Sequence, residues 1–494
     1  MTLFKRRERE REPASDSTRN KDIGEKTGVS SASPPSDGVL PQYNHNGDEV
    51  TAGIHPDGES GRRGFQPIQF FRIIWRSSCA VSSWVNILWP FVPAAIALHF
   101  IHGDHHLWTF AINYIAMVPA ANLLGFAGQE FARKLPKVAG VIIETTLGSI
   151  VEIVLFMVLI AKDNGTGETG PGNKIQVIQA AILGSILTNL LLCLGFCFLI
   201  GGIKHKEQKF HAAISEVGSG LLLVAGFALM IPSAFFSSLI GSTVTGGEGY
   251  TEDRLRNDTL SISHGVSIIL IASFVLYLLY NCVSHDNIFA EVLEADEEAD
   301  RDRHHDLQKA KLTMTECIIA IVLALAMISL IAVFLVEEIE YVVEHGVPDN
   351  FLGLILVPLV EKAAEHLTAV DEAYDNQINF ALYHCLGPSI QTALFNAPLV
   401  VIVGWGLGKP MDLNFEIFMV VLLIVAILVV GNFLRDGASN YLEGGLLVIV
   451  YIIIAVTAWY YPNSELTTSN GRSSTETTGE GTEALVKIAR MMMS

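Results

Sequence analysis

Two stretches decide the fold: Gly140-VIIETTLGSIVEIVLFMVLI-Ala161 and Phe351-LGLILVPLVEKAAEHLTA-Val370. Each is an apolar run long enough to cross a bilayer, which takes about 20 residues of helix. Each has a glutamate set inside it, Glu152 and Glu365. An ionisable side chain at membrane depth costs at least a few kcal/mol, so its first reading is an ion or proton site. Two such runs in corresponding halves of one chain predict a transporter whose site lies between repeats.

The rest of the chain agrees. Half of the 494 residues are hydrophobic and only 17% are charged, too few to cover a soluble domain of this length. The net charge of −19 sits largely in hydrophilic segments such as 291–302 and 336–349, and it argues against nucleic-acid binding. Cys79, Cys193, Cys197, Cys282, Cys317 and Cys385 fall in or beside apolar runs without metal-ligand spacing. Cys193 and Cys197 share a helix face and read as small packing residues. The first apolar run begins after about 75 residues, so no cleavable signal peptide is expected.

About eleven spans of near-membrane length follow one another, at 79–101, 108–130, 138–161, 175–201, 212–240, 262–283, 312–337, 350–371, 378–406, 414–434 and 445–461. The expected fold is therefore an all-α polytopic membrane protein. One extra helix precedes two inverted five-helix repeats. Residues 1–66 read as a disordered cytosolic tail that buries nothing, and 462–494 as a second disordered tail. Residues 67–283 hold the first helix and first repeat, 284–311 an acidic cytosolic loop, and 312–461 the second repeat. The basic clusters Arg133, Lys134, Lys137 and Lys204, Lys206, Lys209 place those loops and the amino terminus in the cytosol. Sequons at Asn164 and Asn257 then fall on the opposite side.

The repeat is legible in short strings. Gly148-Ser-Ile-Val-Glu152 is followed by Leu183-Gly-Ser-Ile-Leu-Thr-Asn189, and Glu361-Lys-Ala-Ala-Glu365-His366 by Leu386-Gly-Pro-Ser-Ile-Gln-Thr392. An odd number of spans per half inverts the second half and brings Glu152 and Glu365 together near the midplane. A hard divalent ion such as calcium takes 6–8 oxygen ligands. Two carboxylates supply the charge, and Ser149, Ser185, Thr188, Asn189, Ser389 and Gln391 offer neutral oxygens. Gly148, Pro358, Gly184, Gly387 and Pro388 let backbone carbonyls turn toward a lined cavity. Once the cation leaves, two adjacent carboxylates repel and take up protons, so cation and protons compete for one site.

These residues also carry a resemblance. The chain is similar, over about residues 78–460, to the vacuolar calcium/proton exchangers of fungi and plants, in the cation/calcium exchanger superfamily. It looks like a divergent, fungal-type member. Ser82–Ala95, Ala180–Gly195, Phe210–Phe235 and Ile262–Tyr280 resemble the family's first, fourth, fifth and sixth spans. The acidic run 291–302 stands where the family has an acidic helix between halves. The family's signatures are Gly-Asn-Ala-Val-Glu and Gly-Asn-Ala-Ala-Glu-His, and the resemblance carries cation and proton binding onto Glu152 and Glu365, with Ser149 and Gln391 completing the shell. It implies calcium as the first candidate, carried into the vacuole against protons. Another cation (manganese, sodium or potassium) is the alternative. No resident cofactor is implied, and self-association is left open.

Both signature asparagines are replaced, by Ser149 and Lys362, and Glu361 stands for a glycine. Glu144 stands where a small or amide residue is usual, and Gly387-Pro388 replaces Gly-Ser. Lys362 brings a positive charge to a cation site, and Glu361 and Glu144 are the candidate anions to answer it. Glu361, Glu365 and Glu372 share a helix face within about 40°, with Lys362 about 60° from Glu365. His366 completes the set of modulators. Two outcomes stay open: the extra acids absorb the lysine and leave a divalent site, or Lys362 acts as a tethered cation that changes the ion taken. A non-transporting regulatory relative is the third. His99, His102, Asp104, His105 and His106 crowd one loop and read as interfacial residues. Nothing in the chain has the order of an intramembrane enzyme motif, since Glu361–His366 lacks His-Glu-x-x-His.

Overall fold

The computed structural model describes residues 53–101, 105–163, 173–242, 250–300 and 303–461, with a few positions just before 53. All of them fall in the unit Gln42–Ser494. Residues 1–43 and 462–494 of the expected tails lie outside the described residues, as do His102, Asp104 and Asn164.

An amphipathic helix α1 (Pro67–Arg76) turns Phe70, Ile73 and Ile74 inward and leaves Ile68, Phe71 and Trp75 exposed, as suits a helix at a membrane surface. Among the described residues, ten helices are long and apolar enough to span a bilayer: α2 (Val81–His99), α3 (His106–Ala132), α4 (Lys137–Lys162), α5 (Lys174–His205), α6 (Ala212–Leu239), α7 (Glu252–Ser284), α10 (Met314–Glu344), α12 (Ile378–Gly406), α13 (Ile417–Asp436) and α14 (Tyr441–Tyr460). The eleventh expected span is also a helix, α11 over 349–374. It is less apolar than the other ten because it carries Glu361, Lys362 and Glu365. Between the repeats lie α8 (Asp286–Ala299) and α9 (Arg303–Gln308).

The contacts reveal the inversion. Helix α3 packs on α10, its counterpart, and α6 on its counterpart α13. Other pairs are reciprocal: α5 packs on α14 as α12 packs on α7, and α5 on α13 as α12 on α6. Such swapped pairs arise when two copies of one five-helix unit face each other across a twofold axis. The two central helices are built alike. Each begins with an α-helical stretch, Lys174–Leu187 or Ile378–Gln391, and then widens into a π turn, Thr188–Cys193 or Thr392–Asn396. A third π turn, Leu352–Leu356, precedes Pro358 in α11, and the Tyr114 hydroxyl donates to the Leu356 carbonyl there at 2.7 Å. Wide turns of this kind gather at functional sites. A two-stranded ribbon, β1 (Glu207–Lys209) against β2 (Ala438–Asn440), joins the end of α5 to the α13–α14 turn.

One expectation fails at the amino-terminal edge. Residues 53–66 do bury polar groups, against the expectation of a tail that buries nothing. Lys134 is fully buried and donates to the carbonyls of Gly58 and Leu312 at 2.6 and 2.7 Å. Arg62 pairs with the buried Glu316 at 3.1 Å. A side chain at residue 58 would collide with the Arg133 backbone. Composition shows apolar burial only, and this segment is held by charge and backbone.

Candidate functional site

Glu152 on α4 and Glu365 on α11 come together, and the residue between them is Lys362. Its ammonium nitrogen lies 3.5 Å from Glu152 Oε2 and 3.4 Å from Glu365 Oε2. All three carry almost no exposed surface at their charged ends except Glu365, whose side chain keeps 14%. Glu152 also accepts from Thr392 Oγ1 at 2.9 Å and from Asn396 Nδ2 at 3.1 Å, both on the π turn of α12. The reciprocal contact runs from the π turn of α5, where Asn189 Oδ1 lies 3.0 Å from His366 Nε2. Each repeat thus reaches from its widened helix to the charged helix of the other, with Thr392 and Asn396 in one direction and Asn189 in the other.

Gly148 explains why Glu365 fits. A Cβ there would overlap the Glu365 carboxylate, so the glycine makes room for an acid from the opposite repeat. Gly184 and Gly353 serve packing instead, letting α5 and the π turn of α11 meet backbone to backbone.

A partly open cavity leads to Glu365. Its walls include Asn122, Gln129, Glu144, Thr145, Gly148 and His384. Gln129 lies near the end of α3 and Glu144 near the start of α4, so the cavity is on the side of the Arg133–Lys137 turn. His384 sits between two acids, with Nδ1 2.7 Å from Glu372 Oε2 and Nε2 3.4 Å from Glu144 Oε1.

The sequence-derived candidates fare differently. Glu152, Glu365 and Lys362 converge. Glu144 does not answer Lys362 as expected, because it faces His384; nor, among the described residues, does Glu361 form an ion pair. Glu361 is buried and neither of its oxygens has a hydrogen-bond partner among the described residues. The lysine is instead held by the two site acids themselves, one of them from the opposite repeat. Ser149 Oγ and Gln391 Nε2 are buried without partners among the described residues. Thr392 and Asn396 were not singled out, although the register of the repeats matches Thr392 to Asn189. His384 was missed because its partners come from two other helices. Cys385 joins Cys193 and Cys197 in a buried thiol cluster that spacing within one helix does not reveal. His99 and His106 pair with Glu337 and Glu338 at 3.7 and 2.8 Å.

Comparison with known proteins agrees with this architecture. The sequence profile of the family "Sodium/calcium exchanger protein" matches residues 105–283 and 317–460, the two repeats. The vacuolar calcium ion transporter of Cryptococcus neoformans is 31% identical over 81% of this chain and 77% of its own length. Vacuolar cation/proton exchanger 2 of rice is 32% identical over 76% of this chain and 80% of its own. The solved structure of native YfkE superposes with a TM-score of 0.60 at 26% identity, covering 76% of this chain and 99% of that one. With both repeats matched and the opposed acids at their interface, the chain belongs to the sodium/calcium exchanger family, among its vacuolar cation/proton exchangers.

Proposed function

We propose that the protein is a secondary cation/proton antiporter of the vacuolar membrane, carrying calcium into the lumen in exchange for protons. The observation that carries it is the meeting of Glu152 and Glu365, from inverted repeats, around one positive charge at full burial. Two buried carboxylates that already hold an ammonium have the charge and spacing to hold a cation. The names of the relatives, a calcium transporter and a cation/proton exchanger, support calcium and the vacuole. Thr392 and Asn396 fix the Glu152 carboxylate, while Gly148 admits Glu365. The cavity beside Glu365 gives access from the Arg133 side, which the basic loops assign to the cytosol. Rocking of one repeat against the other exposes the same site to the lumen. Ser149 and Gln391 complete the shell, and His366 is held off the cation by Asn189.

Lys362 favours a second reading: a permanently paired lysine closes the site, leaving a regulatory protein that moves nothing. Acid-loaded vesicles containing the full chain decide between them. Calcium-driven proton release, compared with manganese, sodium and potassium, is expected, and Glu152→Gln and Glu365→Gln are expected to abolish it. No proton release with any of the four ions, from well-folded protein, leaves the regulatory reading standing.

A further inference from the structure

Resting on the antiporter reading, we infer that Lys362 is the resident occupant of the transport site and that Glu361 receives its ammonium when a cation displaces it from Glu152 and Glu365. Three observations converge on this. Glu361 is 2% exposed and both of its oxygens lack a partner among the described residues, a costly arrangement for a carboxylate unless another state supplies one. Lys362 is fully buried and held by the two acids that also form the candidate cation site. Its neighbour by one residue is the unpartnered acid, within electrostatic reach of the ammonium.

The repeat supplies the geometry. Position 361 stands to Glu365 as Gly148 stands to Glu152, four residues ahead on the inverted helix. Gly148 lies directly against the carboxylate of Glu365. The pseudo-twofold therefore sets residue 361 beside Glu152, where the ammonium already rests. The four-carbon stem of lysine moves its charge between neighbouring anions while the backbone stays still. A short swing exchanges one set of carboxylates for the other.

Charge counting gives the direction. A divalent cation placed between Glu152 and Glu365 satisfies both acids and repels the ammonium. Glu361, unpartnered among the described residues, gives up its proton as the ammonium arrives, so the arriving ion and the displaced ion are each paired. The oxygens freed for the cation include Ser149 Oγ and Asn396 Oδ1, both buried without partners among the described residues. Hard cations favour such neutral oxygens beside carboxylates.

A double-mutant cycle tests this in vesicles containing the full chain, reading the calcium concentration for half-maximal proton release. Lys362→Asn removes the competitor and is expected to lower that concentration by about tenfold. Glu361→Gln removes the receiving anion and is expected to raise it by about tenfold. The double variant is expected to behave as Lys362→Asn alone, because Glu361 matters only while the lysine needs a place to go. An equal effect of Glu361→Gln with and without Lys362 overturns the proposal and makes Glu361 structural. Should Glu361→Gln fail to fold, Glu361→Asp, which withdraws the carboxylate by one carbon, is expected to show the same dependence on Lys362. Absence of exchange in both wild type and Lys362→Asn counts against the antiporter reading itself; exchange without the coupling counts against this inference alone.

Discussion

Thr392 and Asn396 fix one face of Glu152, and Lys362 takes the rest. A hydrogen bond to a buried charged group contributes about 1.5–3 kcal/mol. Thr392→Ala is therefore expected to weaken calcium-dependent exchange by about 10–100-fold, read as the half-saturating calcium concentration in vesicles. An unchanged value would mean that Asn396 alone positions the carboxylate. Gly148→Ala makes a separate prediction. Its methyl group would occupy the place of the Glu365 carboxylate, and such overpacking costs about 1–3 kcal/mol. Exchange is expected to fall below detection while thermal unfolding shows a protein still folded. Full exchange in this variant would show that Glu365 has a second usable rotamer. The sequence displayed every one of these residues but not their pairing. Spacing places Lys362 a turn from Glu365, and only the fold brings Glu152 to its other side.

At the scale of elements, the acidic segment between the repeats is a docked helix. Phe289, Val292 and Leu293 of α8 face inward, and Asp296 accepts from the Asn379 and Phe380 amides and the Asn379 side chain at the start of α12. Burial pushes the Asp296 carboxyl up, and those bonds pull it part of the way back. Asp296→Ala leaves these donors without their acceptor, at about 1–3 kcal/mol. Faster hydrogen exchange at residues 379–380 is expected; unchanged protection would show that α8 does not hold α12. A second element responds to pH. Asp412, in the loop after α12, is pushed up to about 6 by burial, with hydrogen bonds from Asn414 and Gln179 opposing. The folded protein therefore binds this proton more tightly than the unfolded chain, whose aspartate titrates near 3.8. The stabilisation is complete below the unfolded value and is lost as pH rises through about 6. Thermal stability is expected to fall over that window in wild type and to lose this component in Asp412→Asn. Identical pH profiles for the two proteins would remove Asp412 as the cause.

At the scale of the molecule, the reciprocal packing of α3–α7 and α10–α14 makes one site from two half-sites. The cavity beside Glu365 is on the side of the Arg133–Lys137 turn, and Gln129 is part of its wall. In a cysteine-free background, Gln129→Cys is expected to react with a membrane-impermeant thiol reagent from that face and to be protected by saturating calcium. Labelling from the opposite face alone would reverse the proposed orientation.

The sequence by itself determined the spans, the repeat and the two central acids. Hydrophobic length, helical periodicity and the cost of a charge in a bilayer all act along one segment at a time. It also marked Lys362 as foreign to a cation site. The tertiary structure alone decided where that lysine points, because a flexible side chain follows the nearest charges and one of these, Glu152, comes from another helix. It decided equally that Glu144 faces His384 and that Glu361 has no hydrogen-bond partner among the described residues. The paired acids that opened the sequence are bridged by the chain's own ammonium, and the transported ion must compete with it.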